Sequence, residues 1–340
     1  MKIKEQRFLR VTTPSAHAAT IEFWNDHPVF SWFGGSREGA GDIAIYLNNL
    51  HNDNETILVG DKDSTPRWNP ILFNYDNRLY LFTKLGTFCD RWQTLIHDIT
   101  DWKNDVSFEQ ILKDTQVLPA GLNGPVKTRP IVLPFTDETI ICGSAVETNF
   151  DWVSYFENYD IIDGKWEFNS RSKPIYPRER NVYRDDYYRP NVSKGIIQPA
   201  MWVDNDGIHS FFRSSNGLDS LYYYHDNDYS ARGRNVPIPT NLPNPNSGVD
   251  VVYHEDRLFL VSNPSNTDRF PLVIQELENK GDGKFEILDE IVIRNFVEKE
   301  DKPSCISQCL SYPYMVENDG DLHLVYTYGR SRIEYVVIGI

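Results

Sequence analysis

ILFNYDNRLYLF, residues Ile71–Phe82, is an apolar run, a short turn of Asp and Asn, and a second apolar run. Its aromatic and branched residues favour strands, and the turn residues tolerate positive φ, so the segment reads as a β-hairpin. The pattern recurs at EFWNDHPVFSWF (Glu22–Phe33), IVLPFTDETIIC (Ile131–Cys142), MWVDNDGIHSFF (Met201–Phe212), VVYHEDRLFLV (Val251–Val261) and YMVENDGDLHLVY (Tyr314–Tyr326). Self-similarity of this kind marks a radial or stacked array. Further strand-like runs follow the hairpins, among them DIAIYL, DWVSYFENY, SLYYYHDND, FPLVIQELE and RIEYVVIGI. A hairpin plus two more strands is one propeller blade. The fold class is therefore all-β, a six-bladed β-propeller forming a single domain over residues 1–340. EQRFLRV (Glu5–Val11) is expected to join the last blade as its fourth strand and so remove an exposed edge. A short helix is expected within 90–114, and a long inter-blade loop over 172–195.

Composition narrows the function. With 340 residues and 40% hydrophobic content the chain can bury a large core without staples. A net charge of -15 excludes the basic surface that a nucleic-acid backbone requires. No apolar stretch reaches the roughly 20 residues of a membrane span, so no membrane partner is expected. MKIKEQRFLRVTTPSAHAAT at the N-terminus lacks an apolar signal core, and a cytoplasmic location is the expectation. Cys305 and Cys309 have no second pair or His at ligand spacing, and no metal is expected. Nucleotide, dinucleotide and HExxH motifs are missing as well, so no cofactor is expected.

The segments HAATIEF (17–23), WFGGSREGAGDIAIYL (32–47), WNPILF (68–73), GPVKTRPIVL (124–133), GSAVE (143–147), IIQPAMW (196–202), LPNPNSGVDVV (242–252) and SYPYMV (311–316) resemble, in order, signatures of the sialidase-like proteins with BNR-type repeats. That resemblance spans nearly the whole chain and implies a sialidase-type propeller and glycoside hydrolysis. DIIDGKWEF (Asp160–Phe168) and KGDGKFEIL (Lys280–Leu288) resemble worn copies of the family's Asp-box turns. Sialidases hold a carboxylate with three arginines and attack with a tyrosine activated by a glutamate. Arg213 resembles the second arginine and Tyr312 the nucleophile. The chain departs from the pattern with His17 in place of the first arginine and Gln198 in place of the glutamate. Ser262 and Asn263 stand where an arginine would follow the fifth hairpin.

Candidate residues cluster at strand ends, which converge on a propeller's axis. In GGSREG, glycines let the chain turn tightly and present Arg37 and Glu38. Arg37 suits a carboxylate, and Glu38 or Asp42 suits acid–base work; a turn carrying a solvated ion pair is the simpler alternative. Glu147 ends an apolar strand, where partial burial would favour proton donation, unless it pairs with Lys127 or Arg129. Asp250 follows a loop whose Asn244, Asn246 and Ser247 suit sugar hydroxyls, and glycosidases need two carboxyl groups; an Asx turn competes. Lys84 and Arg213 end second strands of their blades, and a snorkelling surface cation is the usual reading for a lone Lys. Trp68 and Asn69 open an inner strand, where the indole either stacks on a sugar or packs. Tyr312, Tyr326, Tyr328 and Arg330 form a last-blade group, and His17 is a proton carrier or a structural histidine.

The expected function is an exo-acting glycoside hydrolase on an acidic or polar sugar, with Glu38, Asp42, Glu147, Asp250 and Tyr312 as catalytic candidates. His17, Arg37, Trp68, Asn69, Lys84, Gln198, Arg213, Asn246 and Arg330 are the candidates for binding the carbohydrate substrate. Two rivals remain at the sequence level: a polysaccharide lyase acting on uronic-acid glycans and a non-catalytic carbohydrate-binding propeller.

Overall fold

The computed structural model describes residues 1–49, 56–59, 65–101, 115–134, 139–148, 151–177, 195–298 and 309–340. These form six four-stranded antiparallel sheets arranged as propeller blades. After β1 (Lys2–Phe8), blade 1 holds β2 (Ser15–Trp24), β3 (His27–Gly35), β4 (Ala44–Asn49) and β5 (Thr56–Val59). Blade 2 holds β6 (Arg67–Tyr75), β7 (Arg78–Leu85), β8 (Gln93–Asp98) and β9 (Thr115–Val117). Blade 3 holds β10 (Ile131–Val132), β11 (Ile140–Glu147), β12 (Trp152–Ile162) and β13 (Lys165–Arg171). Blade 4 holds β14 (Ile196–Asp204), β15 (Gly207–Ser214), β16 (Ser220–Asp226) and β17 (Ile238–Pro243). Blade 5 holds β18 (Asp250–His254), β19 (Arg257–Ser262), β20 (Leu272–Asn279) and β21 (Phe285–Arg294). Blade 6 holds β22 (Leu310–Asn318), β23 (Asp321–Tyr328) and β24 (Arg332–Gly339), and β1 pairs with β24 as its outermost strand.

Each hairpin seen in the sequence is the first strand pair of a blade. Asn25–Asp26, Asp76–Asn77 and Glu255–Asp256 all take positive φ in their turns, the conformation that matches strand twist in two-residue hairpins. Six apolar clusters fill the six seams between neighbouring blades, from Phe33, Leu72 and Leu81 in one to Phe259, Leu324 and Tyr326 in another. Each such large side chain, taken fully out of water, contributes about 1.5–3 kcal/mol. The ring of seams holds six separate sheets as one body around an axis.

Two expectations change, and a third falls largely outside the described residues. Within 90–114, the stretch expected to include a short helix, residues 93–98 are strand β8, preceded by a 3₁₀ turn at Cys89–Arg91; residues 102–114 lie outside the described residues. Residues 178–194 of the expected long loop also lie outside them. In blade 3 the inner strand is only Ile131–Val132. Side chains of the preceding segment replace the missing ladder. Thr128 Oγ1 donates to Pro199 O (2.5 Å), Lys127 Nζ to Pro313 O, and Arg129 to Met315 O and to Val251 O. One segment of blade 3 thereby clasps blades 4, 5 and 6 across the axis.

Candidate active site

Four inner strands carry the same irregularity. The register of β2, β6, β14 and β22 slips between His17 and Thr20, Trp68 and Ile71, Ile197 and Ala200, and Ser311 and Tyr314. Within each slip one residue takes positive φ: Ala18 (51°), Asn69 (43°), Gln198 (57°) and Tyr312 (52°). A proline follows in three of the four, and a residue without an N–H suits the unpaired position of a bulge. A bulky residue in this region costs about 1–3 kcal/mol of backbone strain, and such bulges re-aim side chains beside functional sites. Here they turn Asn69, Gln198 and Tyr312 toward one place.

That place is centred on Arg213, at the end of β15 and almost fully buried. Its Nε donates to Asn246 Oδ1 (2.8 Å), and its Nη1 to Gln198 Oε1 (3.0 Å) and the Tyr312 hydroxyl oxygen (3.1 Å). Gln198 Nε2 reaches the same phenol oxygen at 3.4 Å. Two donors therefore converge on the Tyr312 oxygen. Trp152 packs 5.4 Å from the guanidinium on the other side. Gly248 closes the floor, where a Cβ would lie 3.1 Å from both Gln198 Oε1 and Lys127 Cε.

Around this centre lie two more arginines. Arg269 Nη2 donates to Asn246 O at 2.8 Å, and its own carbonyl accepts Leu310 N. Arg330 is ion-paired with Glu38, and burial pulls its pKa down. His17 is buried against the Tyr312 ring, centroids 4.5 Å apart, and its Nδ1 has no hydrogen-bond partner among the described residues. Burial, reinforced by Arg330, Arg269 and Arg213, holds His17 well below its usual pKa and hence neutral. Neither Arg213 nor Arg269 is paired with a carboxylate among the described residues.

A side pocket opens beside this group, lined by Asn69, Lys84, Trp92, Asn123, Glu147 and Gln198 among others. Lys84 is buried, not a surface cation: Nζ donates to Thr94 Oγ1 (2.9 Å) and Asn123 O. Burial, offset in part by Glu157, brings its pKa down to about 7. Glu157 is itself fully buried and accepts Asn123 N, Gly124 N, the Ser144 hydroxyl and the Tyr159 hydroxyl. Glu147 is half-buried on the pocket wall. Its alternative partners Lys127 and Arg129 are turned to main-chain oxygens instead.

Of the residues expected from sequence, His17, Asn69, Gln198, Arg213, Asn246, Tyr312, Arg330 and Glu38 come together, with Lys84 and Glu147 in the adjoining pocket. Others do not. Asp250 is buried, with Oδ1 accepting Val251 N (3.0 Å) within its own strand and Oδ2 accepting Met315 N (2.9 Å) of β22, so one oxygen closes on the local backbone and the other ties strand to strand. Asp42 accepts the amide and hydroxyl of Ser36 and closes a turn. Arg37 is exposed, its carbonyl accepting Ala40 N in the same turn. Trp68 is buried between Phe33 and Trp92 and donates to Gly86 O (2.7 Å), which makes it a packing residue, not a sugar platform. Asn244 and Ser247 bond each other. Tyr326 and Tyr328 are spent on Glu334 and on Glu298 N.

Sequence reasoning missed Arg269, Lys127 and Glu157. Arg269 sits at the end of the loop after the fifth hairpin, beyond Ser262 and Asn263, so an arginine does follow that hairpin. Lys127 and Arg129 have a visible signal, two cations in GPVKTRP with no acidic neighbour, and main-chain carbonyls answer it.

A six-bladed propeller whose axis presents arginines, a tyrosine and amides on bulged inner strands defines a class of domain. The chain belongs to the BNR repeat-like domain family, which matches residues 27–324. Among solved structures it is similar to a Trypanosoma rangeli sialidase in complex with 2,3-difluoro-KDN, with a TM-score of 0.61 at 10% identity, covering 99% of this chain and 58% of that one. It is also similar to a Penicillium chrysogenum α-L-arabinanase complexed with arabinobiose, with a TM-score of 0.59 at 10% identity, covering 100% of this chain and 99% of the other. At these identities the likeness shows the fold. The chain spans 58% of the sialidase's length. A sequence search of curated proteins returned no match.

Proposed function

We propose that this protein is a glycoside hydrolase of sialidase-like fold acting on an acidic or polar sugar in the axial funnel. The observation that carries the reading is Arg213, buried, held among the described residues by neutral acceptors and bonded to Tyr312. A guanidinium so placed binds a sugar carboxylate or hydroxyls with a fixed fork of donors. The two solved neighbours hold a nononic acid derivative and arabinobiose, which fits a carbohydrate ligand.

In this reading the Tyr312 oxygen attacks the anomeric carbon while its proton passes to His17 Nδ1. The amide at Gln198 cannot take that proton, whereas the neutral imidazole packed on the phenol can. The glycosidic C–O bond breaks and the leaving oxygen takes a proton from Glu147. Water then attacks the same carbon, giving a proton back to Glu147, and Tyr312 leaves with the proton held by His17. Charge developing on the phenol oxygen is met by Arg213. Glu38 neutralises Arg330 until an anionic ligand competes for it.

One observation favours a second reading, elimination across a uronic-acid C4–O bond. With an amide instead of a carboxylate beside the phenol, the neutral His17 and the Tyr312 hydroxyl also form a base-and-acid pair for abstracting a ring proton and protonating the leaving oxygen. Incubation with a panel of sialosides, uronides and neutral oligosaccharides, read by mass spectrometry, tests both. Products gaining one water support hydrolysis. An unsaturated, ultraviolet-absorbing product replaces it with elimination, and no product from any member overturns both.

A further inference from the structure

We infer that Asn246 is a positioning residue of the acid-binding site: it spaces Arg213 and Arg269 so that one ligand carboxylate bridges both, and it does so as an uncharged amide. The inference rests on the proposed reading of Arg213 as the acid-binding group and adds what aligns that group and keeps its charge free. Asn246 meets the two arginines with different atoms. Its side-chain Oδ1 accepts Arg213 Nε at 2.8 Å, and its main-chain carbonyl accepts Arg269 Nη2 at 2.8 Å. One residue therefore sets the spacing of two guanidinium groups, one from blade 4 and one from blade 5. Arg213 Nη2 and Arg269 Nε and Nη1 make no hydrogen bond among the described residues and remain as donors for a ligand. Burial first, then the charges of Arg330, Arg269 and Arg213, hold the His17 imidazole neutral, so both cations act on one space.

The loop that carries Asn246 is built to hold it still. Asn246 has a φ of 57°, in the left-handed region where asparagine is enriched. Asn244 Nδ2 donates to Ser247 O at 2.8 Å and Ser247 N to Asn244 Oδ1 at 3.2 Å, which closes the loop around it. Ser247 Oγ donates to Asn263 Oδ1 (2.7 Å), and Asn263 Nδ2 donates to Pro271 O (2.9 Å) and Leu310 O (3.0 Å). Leu310 N in turn donates to Arg269 O (2.9 Å). The Asn246 loop is thus tied to both ends of the 263–271 segment that bears Arg269. Asn244, Ser247 and Asn263 are buried, so these bonds are shielded from water and costly to break. Amides that read from sequence as partners for sugar hydroxyls are spent on aiming two arginines.

The amide itself has a reason. An aspartate at this position would form an ion pair with Arg213 beside Arg269 and consume the charge that a ligand needs. The asparagine oxygen accepts the same hydrogen bond through its dipole, and both arginines stay without an ion pair among the described residues. In a chain with a net charge of -15, two such arginines anchored on one residue form a local excess of positive charge that a carboxylate relieves.

The test is calorimetric binding of D-glucuronate and N-acetylneuraminate, each beside its neutral methyl ester, to the full chain, to Asn246→Asp and to Asn246→Gly. Glycine accepts the positive φ and keeps the main-chain bond to Arg269, so it removes only the side-chain amide. The parent is expected to bind at least one acid roughly tenfold or more tightly than its ester. Asn246→Asp is expected to erase that preference, and Asn246→Gly to cut it by roughly threefold or more. A residue that merely held the loop would weaken acid and ester alike. Equal losses of the two, or an unchanged acid preference in the folded variants, would therefore overturn the inference while leaving the proposed function standing. No acid preference in the parent, or no binding of any of the four compounds, would overturn the acid-binding reading of Arg213 itself. If Asn246→Asp does not fold, the acid-to-ester ratio of Asn246→Gly decides alone.

Discussion

Asp250→Asn separates a structural carboxylate from a chemical one. Asp250 lies at the start of β18, and its two oxygens accept the amides of Val251 and Met315 at 3.0 and 2.9 Å. Asparagine keeps one acceptor and points an NH2 group at whichever amide remains. One buried backbone N–H loses its partner and the new NH2 gains none, a cost of about 1–3 kcal/mol. Lys127, whose buried ammonium is favoured by the Asp250 charge, loses that support as well. We expect a total loss of about 2–3 kcal/mol, and for a chain of this size a fall in Tm of about 3–4 °C. Urea unfolding followed by circular dichroism reads the first quantity, and a thermal scan the second. Turnover per folded molecule at a temperature well below the transition should stay within about twofold of the parent, since Asp250 touches no group of the Arg213 centre. An unchanged Tm together with lost turnover would refute the reasoning and return Asp250 to the chemistry.

Glu147→Gln should abolish turnover with Tm nearly unchanged, because the half-buried side chain lines the pocket and holds no strand; full activity in initial-rate assays would remove it from the mechanism. His97, buried between the hydroxyls of Thr83 and Thr115, has its pKa pushed down to about 3 by burial, from an ordinary 6.5. Between those values the unfolded chain binds a proton that the folded chain refuses, so stability should fall as pH drops from about 6.5 toward about 3. His97→Gln should flatten that part of the Tm-against-pH curve, and an unaltered slope would place the acid sensitivity elsewhere.

The blades were legible because their determinants are local. Paired apolar runs around Asp/Asn turns that take positive φ declare a hairpin without any tertiary information, as at Asp76–Asn77 and Glu255–Asp256. The short inner strand of blade 3 was not legible, because Lys127, Thr128 and Arg129 bond carbonyls of three other blades, partners far away in sequence. The site was half legible for a related reason. Residue type marks Arg213 and Tyr312 as chemically able, and the shared bulge, visible as a residue before Pro70, Pro199 and Pro313, turns Asn69, Gln198 and Tyr312 inward. Whether a carboxylate is free to react depends instead on which amides reach it. Asp42 and Asp250 read like Glu147 in the sequence, yet Ser36, Val251 and Met315 already hold them. Trp68 likewise reads as a platform until Gly86 and Trp92 close over it.

The measurement that bears most directly on the account is turnover by Tyr312→Phe, compared with the parent on the acidic sugar that the parent cleaves. Phenylalanine keeps the ring against His17 and removes only the oxygen on which Arg213 and Gln198 converge. The account expects turnover to fall by at least about a thousandfold, some 4 kcal/mol of lost transition-state stabilisation, with the substrate still bound and Tm little changed. Turnover within a few-fold of the parent would show that the chemistry lies away from the Arg213–Gln198–Tyr312 centre.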